Sequence, residues 1–125
     1  MFWTILQVAV GGALGSVARF GVQAVGVRLF GPGLPLGTLV VNVVGCFAIG
    51  VLFVWLTERG MMRYAPFLMA GLLGGFTTFS AFSLDALILW ERGQGGLAAT
   101  YVAASVVLSL TAVVVGVWLA RGWMA

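Results

Sequence analysis

A stretch without charged residues, from Tyr64 to Leu84, is long enough to cross a bilayer as a helix, yet its centre disfavours a helix. Residues 74–83 read GGFTTFSAFS. Paired glycines are poor residues for a helix interior, and threonine hydroxyls compete with the helical ladder for backbone carbonyls. We therefore expect a helix that is broken near Gly74–Thr78. Because a break inside a membrane leaves backbone groups without partners, protein groups, water or an ion must satisfy them.

The whole chain is too apolar for a soluble domain. Hydrophobic residues make up 62% of its 125 positions and charged residues only 7%, whereas a soluble fold carries about 25% charged residues. Turn residues divide it into four apolar segments, at about Phe2–Leu29, roughly Leu36–Thr57, a third that ends near Trp90, and about Leu97–Leu119. We expect an all-α membrane protein with four transmembrane helices, forming a single domain over residues 1–125. The sequence contains no basic patch, so we expect no nucleic-acid partner.

The first segment carries small residues and one arginine. Gly11, Gly12, Gly15 and Ser16 have the spacing that allows two helices to approach closely in lipid, and we assign them to packing. Arg19 lies well along the segment with apolar residues on both sides. An intramembrane arginine usually faces protein or water. It could also snorkel or cap backbone carbonyls, and the residues leave these interpretations open.

Polar side chains also lie within the other segments. Asn42 is flanked by valines, and an asparagine in such a place can hold two helices together through hydrogen bonds. Thr38 lies four residues earlier and therefore on the same helix face. The lone cysteine, Cys46, is most simply a small core residue. Asp85 lies towards the far end of the third segment, where capping or pairing is expected.

Two further patterns place side chains on one helix face. Phe79 and Phe82 are three residues apart, and Ser80 and Ser83 form a similar pair beside them. Taken alone, the aromatic pair is more typical of packing. In the fourth segment the hydroxyl residues recur every fourth position and form a polar stripe: Tyr101, Ser105 and Ser109. Hydroxyls donate hydrogen bonds without carrying charge, which suits a desolvated anion that must bind and still leave.

The GGFTTFSAFS motif, together with Asn42 and the hydroxyl stripe, resembles the Fluc/CrcB family of fluoride ion channels. This resemblance covers the whole chain and implies a fluoride-selective channel for passive fluoride export that reduces cytoplasmic fluoride toxicity. It further implies a multi-pass protein of the cell inner membrane and no enzymatic activity. The residues expected along the fluoride pathway are Asn42, Phe79, Phe82, Ser80, Ser83, Tyr101, Ser105, Ser109, Thr38 and Arg19.

The distribution of arginines bears on assembly. With four spans, Arg59, Arg63 and Arg121 lie on one side of the membrane, and Arg28 and Arg92 lie on the other. This difference is a poor positive-inside signal, so the chain has either one weakly biased orientation or a dual topology. The resemblance implies the second, with two copies forming an antiparallel homodimer in membrane lipid. It also implies a structural Na⁺ at the dimer interface, bound by the backbone carbonyls of Gly74 and Thr77 from both copies.

Three other functions agree less well with the sequence than a fluoride channel does. The small multidrug resistance exporters are also four-span, dual-topology dimers, but they need a carboxylate within the first segment, where this chain has an arginine. A non-conducting structural subunit accounts for the small residues but not for the Phe, Ser, Asn and Tyr pattern. An enzyme has little support, because the sequence has no histidine, no cluster of metal ligands and no catalytic triad.

Overall fold

The computed structural model describes residues 1–124 and is all-helical in this range. Two long helices come first, α1 (Phe2–Phe30) and α2 (Leu36–Glu58). A 3₁₀ turn (Met62–Tyr64), a π-helix (Pro66–Leu73) and the short α3 (Gly74–Phe76) follow. The chain ends with α4 (Phe79–Glu91) and α5 (Gly95–Met124). The predicted four spans are confirmed, because four helical stretches are long and apolar enough to cross a membrane.

Glycines with positive φ terminate the first two long helices and α4. Gly31, Gly60 and Gly93 have φ of 80°, 64° and 77°, a region that glycine enters at little steric cost. The glycines and prolines of residues 31–35 (GPGLP) predict a turn there, which is confirmed. The sequence also predicts a last turn at Gly93, Gly95 and Gly96, and this prediction was partly wrong. Gly95 and Gly96 do not belong to it but begin α5, which extends five residues beyond the predicted end at Leu119.

Small residues bring the backbones of neighbouring helices into contact, as predicted for the first segment. The π-helix and α3 pack along α1, and α2 packs along α5. A Cβ added at Gly75 would lie 2.6 Å from the carbonyl oxygen of Gly12. A Cβ at Gly50, in α2, would lie 2.5 Å from the carbonyl oxygen of Val113 in α5. Neither contact leaves room for a side chain, so glycine is required at both positions.

The interior of one chain is small. A cluster of buried side chains lies between α4 and α5, formed by Phe82, Leu89, Ala98 and Tyr101. Many large apolar side chains are exposed along the helices, among them Phe20 and Phe79. Since soluble monomers rarely expose continuous apolar surfaces of this extent, the exposed faces are those of a protein surrounded by lipid or by another copy.

Candidate functional site

The link between α3 and α4 has an extended backbone. Thr77 has φ −89° and ψ 157°, and Thr78 has φ −153° and ψ 122°. Side-chain hydroxyls add hydrogen bonds at this link, where the Leu73 carbonyl also keeps its backbone bond from the Thr77 N–H at 3.0 Å. The Thr77 hydroxyl donates to the Leu73 carbonyl at 2.9 Å, and the Thr78 hydroxyl accepts from the Ala81 N–H at 3.1 Å, as an N-cap for α4.

Asn42 of α2 pairs with the backbone of Thr78. Its Oδ1 accepts from the Thr78 N–H at 2.8 Å, and its Nδ2 donates to the Thr78 carbonyl at 3.0 Å. Both polar ends of the amide therefore contact the backbone of the same residue. One N–H of the Asn42 amide remains available for another acceptor, because the NH₂ group carries two hydrogens.

Arg19 contacts the same region from α1. Its Nε donates to the Gly75 carbonyl at 2.9 Å. The sequence left three roles open for Arg19: facing protein or water, snorkelling, or capping backbone carbonyls. This contact matches the third role. In a continuous helix this carbonyl would have accepted from the N–H of Phe79. Arg19 thus supplies a hydrogen-bond partner for the backbone just before the α3–α4 link.

The carbonyl oxygens of Gly74 and Thr77 accept no hydrogen bond among the described residues, 1–124. Within this range, these carbonyls lack partners because the N–H groups that would bond them in a helix donate elsewhere. Thr78 N–H, the helical partner of Gly74, donates to Asn42 instead. Ala81 N–H, the helical partner of Thr77, donates to the Thr78 hydroxyl. Two carbonyl oxygens therefore retain their capacity to coordinate a hard cation.

A groove of about 340 Å³ runs between α2, α4 and α5 beside the threonine link. It brings together five of the residues predicted for the pathway: Asn42, Phe79, Phe82, Ser105 and Ser109. Cys46, Thr77 and Thr78 also line it. The aromatic rings form a row, with ring centroids 5.5 Å apart for Phe79–Phe82 and 5.4 Å apart for Phe82–Tyr101.

Ser105 is the most unusual polar group of this groove. Its side chain is buried, and its Oγ has no hydrogen-bond partner among the described residues. A serine in a helix can usually bond the carbonyl four residues earlier, and buried hydroxyls are rarely left unpaired. Ser105 belongs to the lining of the groove, and its covered Oγ retains the capacity for one more hydrogen bond.

A second cavity of about 230 Å³ lies next to the α1–α2 turn, and Tyr101 of the hydroxyl stripe is linked to it through Asp85. The Tyr101 hydroxyl lies 3.2 Å from Asp85 Oδ2, and Gln23 Nε2 donates to the Thr38 hydroxyl at 3.2 Å. Gln23, Thr38 and Asp85 line this cavity. Sequence reasoning missed Gln23, although a glutamine one helical turn after Arg19 in an apolar segment was a usable signal.

Five predicted pathway residues lie outside the lining of the groove: Ser80, Ser83, Arg19, Thr38 and Tyr101. Thr38 lines the second cavity, and Tyr101 donates to Asp85, which also lines it. Ser80 and Ser83 are exposed, and their hydroxyls have local partners, Thr78 Oγ1 at 3.3 Å and the Phe79 carbonyl at 2.9 Å. Arg19 contacts α3 from the α1 side. Among residues 1–124, no group of three or more His, Cys, Asp or Glu side chains could hold a metal ion.

Comparisons with known proteins point to one family. Residues 6–117 match the family model described as "CrcB-like protein, Camphor Resistance (CrcB)". A protein of Cereibacter sphaeroides named "Fluoride-specific ion channel FluC" is 61% identical over 125 residues, covering 100% of both chains. Proteins of the same name from Paracoccus denitrificans and Agrobacterium fabrum are 58% and 51% identical. They cover 98% and 94% of this chain, and 98% and 95% of their own lengths.

Proposed function

Because the chain belongs to the CrcB-like family, we propose that it is a fluoride-specific ion channel, a multi-pass membrane protein and not an enzyme. The channel lets fluoride leave the cytoplasm passively across the inner membrane and so lowers fluoride toxicity. Fluoride is the transported ion. The proposal rests on the family and on one structural observation, the unpaired hydroxyl of Ser105 beside the groove.

The chemistry of the groove suits a small anion that sheds water. Ser105 Oγ–H and the remaining N–H of Asn42 are neutral donors, so they replace hydration without trapping the ion by a full opposite charge. Phe79 and Phe82 add the positive ring edges of their quadrupoles. Each contact is modest, and a passing ion must be able to leave as well as bind.

The hydrogen-bond directions distinguish the roles of two hydroxyls near the second cavity. Tyr101 has one O–H, which donates to Asp85 Oδ2 at 3.2 Å, so that proton is already used. Thr38 accepts from Gln23, which leaves the Thr38 proton able to donate. We therefore assign donation at this end of the pathway to Thr38, with Ser105 and Ser109 next along it.

The interruption at Thr77–Thr78 lies within the third membrane span in this proposal. Asn42 and Arg19 satisfy its backbone from two neighbouring helices. The orphan carbonyls of Gly74 and Thr77 have the chemistry that Na⁺ accepts, so they fit the proposed structural ion. When bound, that ion would supply positive charge that neutralises the carbonyl dipoles of the link.

We also propose that two copies form an antiparallel homodimer with dual topology. Phe79 is 78% exposed although it belongs to the groove, which a second copy would cover. The nearly even division of arginines between the two sides supports insertion in both orientations. With four carbonyls contributed by two copies, the proposed Na⁺ would lie on the two-fold axis.

Growth of cells that lack their own fluoride export tests the proposed function. Expression of this chain should restore growth in fluoride-containing medium, whereas the Asn42→Asp variant should not restore it. The variant must reach the membrane in the same amount, as judged by immunoblot. Equal growth with and without the chain would contradict the proposal.

A further inference from the structure

A deep apolar groove lies at the C-terminal end of α5, far along the helix from the hydroxyl stripe. It has a volume of about 660 Å³. Phe47 and Val51 line it from α2, and Trp118, Arg121, Gly122 and Trp123 line it from α5. Two smaller concavities of about 390 Å³ and 260 Å³ adjoin it. The first shares Trp118 and Arg121 with it, and the second shares Val51 and Trp123. We call the largest the α2–α5 groove.

The α2–α5 groove combines an apolar surface with one cation. Arg121 is its one charged lining residue within residues 1–124. It directly follows the apolar run 97–120, so it lies where α5 leaves the hydrocarbon region. Trp118 and Trp123 are 71% and 86% exposed and flank it. Tryptophan is enriched at the membrane interface, where its ring is apolar and its N–H remains wet.

Among residues 1–124, no acidic side chain lines the groove beside the Arg121 guanidinium. The arginine hydrogen bonds within the described chain are made by Arg19 and Arg63. Glu58 is the acidic residue at the same end of the bundle, and it is exposed and not part of the groove lining. A planar guanidinium with several N–H donors matches the oxygens of a phosphate.

We propose that the α2–α5 groove binds one anionic phospholipid, with its phosphate on Arg121 and an acyl chain along Phe47 and Val51. Charge selects this occupant. A zwitterionic lipid carries a cation on its headgroup, which offsets the attraction between its phosphate and Arg121, whereas an anionic lipid such as phosphatidylglycerol carries no such group. The apolar lining accepts the acyl chain, and the tryptophans lie at the depth of the glycerol backbone.

Native mass spectrometry of the purified protein tests this binding. The protein is incubated in detergent with phosphatidylglycerol or phosphatidylcholine, and the retained lipid is counted. Wild type should retain phosphatidylglycerol about fivefold better, the factor expected for one basic side chain at an anionic lipid. Arg121→Gln should lose this preference. Arg59→Gln, which removes the same charge from a loop at the same end of the bundle, should keep it.

A second variant blocks the groove without touching the charge. A Cβ at Gly122 meets no atom within 4 Å, so Gly122→Leu should fill the groove without disturbing the backbone. Gly21→Leu is the matched control, since Gly21 is equally open but lies in α1. Gly122→Leu should reduce the retention of phosphatidylglycerol, and Gly21→Leu should leave it unchanged.

Three results would overturn the proposal. The first is equal retention of both lipids by wild type. The second is unchanged lipid preference in Arg121→Gln and in Gly122→Leu. The third is a shift from dimer to monomer in Gly122→Leu without any change in lipid retention, because the groove would then be covered by a second copy.

Discussion

The side-chain amide of Asn42 and the backbone of Thr78 are joined by two hydrogen bonds, of 2.8 Å and 3.0 Å. Asn42 therefore has two roles in the proposed channel. It holds the extended link between α3 and α4 in place. The two hydrogen bonds with Thr78 also fix the orientation of the amide and therefore the direction of its second N–H. Through Thr78, the pairing also sets the start of α4 and with it the positions of Phe79 and Phe82.

We expect Asn42→Asp to abolish nearly all fluoride flux. The carboxylate cannot donate to the Thr78 carbonyl, and it places a negative charge beside the anion. Two like charges ~4 Å apart repel by ~4 kcal/mol at an effective dielectric constant of ~20, which corresponds to a fall in rate of roughly two to three orders of magnitude. Fluoride efflux from liposomes measures the effect, and gel filtration checks assembly. Normal flux would remove Asn42 from the pathway.

The Ser105→Ala variant should lower fluoride flux without lowering the stability of the protein. Loss of one neutral hydrogen bond to the ion costs about 1 kcal/mol, so flux should fall roughly fivefold. Stability should be unchanged or higher, because the variant removes a buried hydroxyl that has no partner in the described residues. Ser83→Ala is the control, since that hydroxyl already donates to the Phe79 carbonyl. A Ser105→Ala protein with normal flux and lower thermal stability would contradict the assignment.

The aromatic residues provide a test with an internal control. Phe79→Leu and Phe82→Leu keep apolar bulk but remove the ring edge, so flux should fall by orders of magnitude with the protein still folded. Phe79 is the cleaner position, because its side chain is 78% exposed, whereas Phe82 is buried against Tyr101. Phe76 lies outside the groove lining and should tolerate leucine. Equal flux in all three variants would assign the phenylalanines to packing.

Dual topology makes a prediction about orientation. A C-terminal tag should be accessible to protease from both sides of the membrane, in different molecules. Two lysines added near one terminus should force a single orientation, and cells that express only this variant should show lower fluoride efflux. Accessibility from one side only, in every molecule, would leave the antiparallel dimer without support.

The gross architecture could be predicted from composition, because four apolar runs separated by glycine- and arginine-containing turns leave few alternatives. The start of α5 could not. Helix propensity argues against Gly95 as a helical residue, yet α5 begins there. A Cβ built at Gly95 would lie 3.2 Å from the Trp90 ring, so this position favours a residue without a side chain.

Side-chain partners were the less predictable part of the candidate site. Helical spacing placed Ser105 and Ser109 on one face, and both line the groove. The contact of Arg19 with Gly75 joins residues 56 positions apart, and that of Asn42 with Thr78 joins residues 36 positions apart. Periodicity within one helix carries no information on such pairs. The same applies to Asp85, whose partner Tyr101 belongs to the next span.

Efflux of two anions from the same liposomes tests the central claim most directly. Purified protein is reconstituted into liposomes loaded with fluoride and chloride, and electrodes selective for each ion follow their release. We expect rapid loss of fluoride with chloride retained, and no fluoride loss from protein-free liposomes. Release of both anions at the same rate, or fluoride release no faster than from protein-free liposomes, would contradict a fluoride-specific channel.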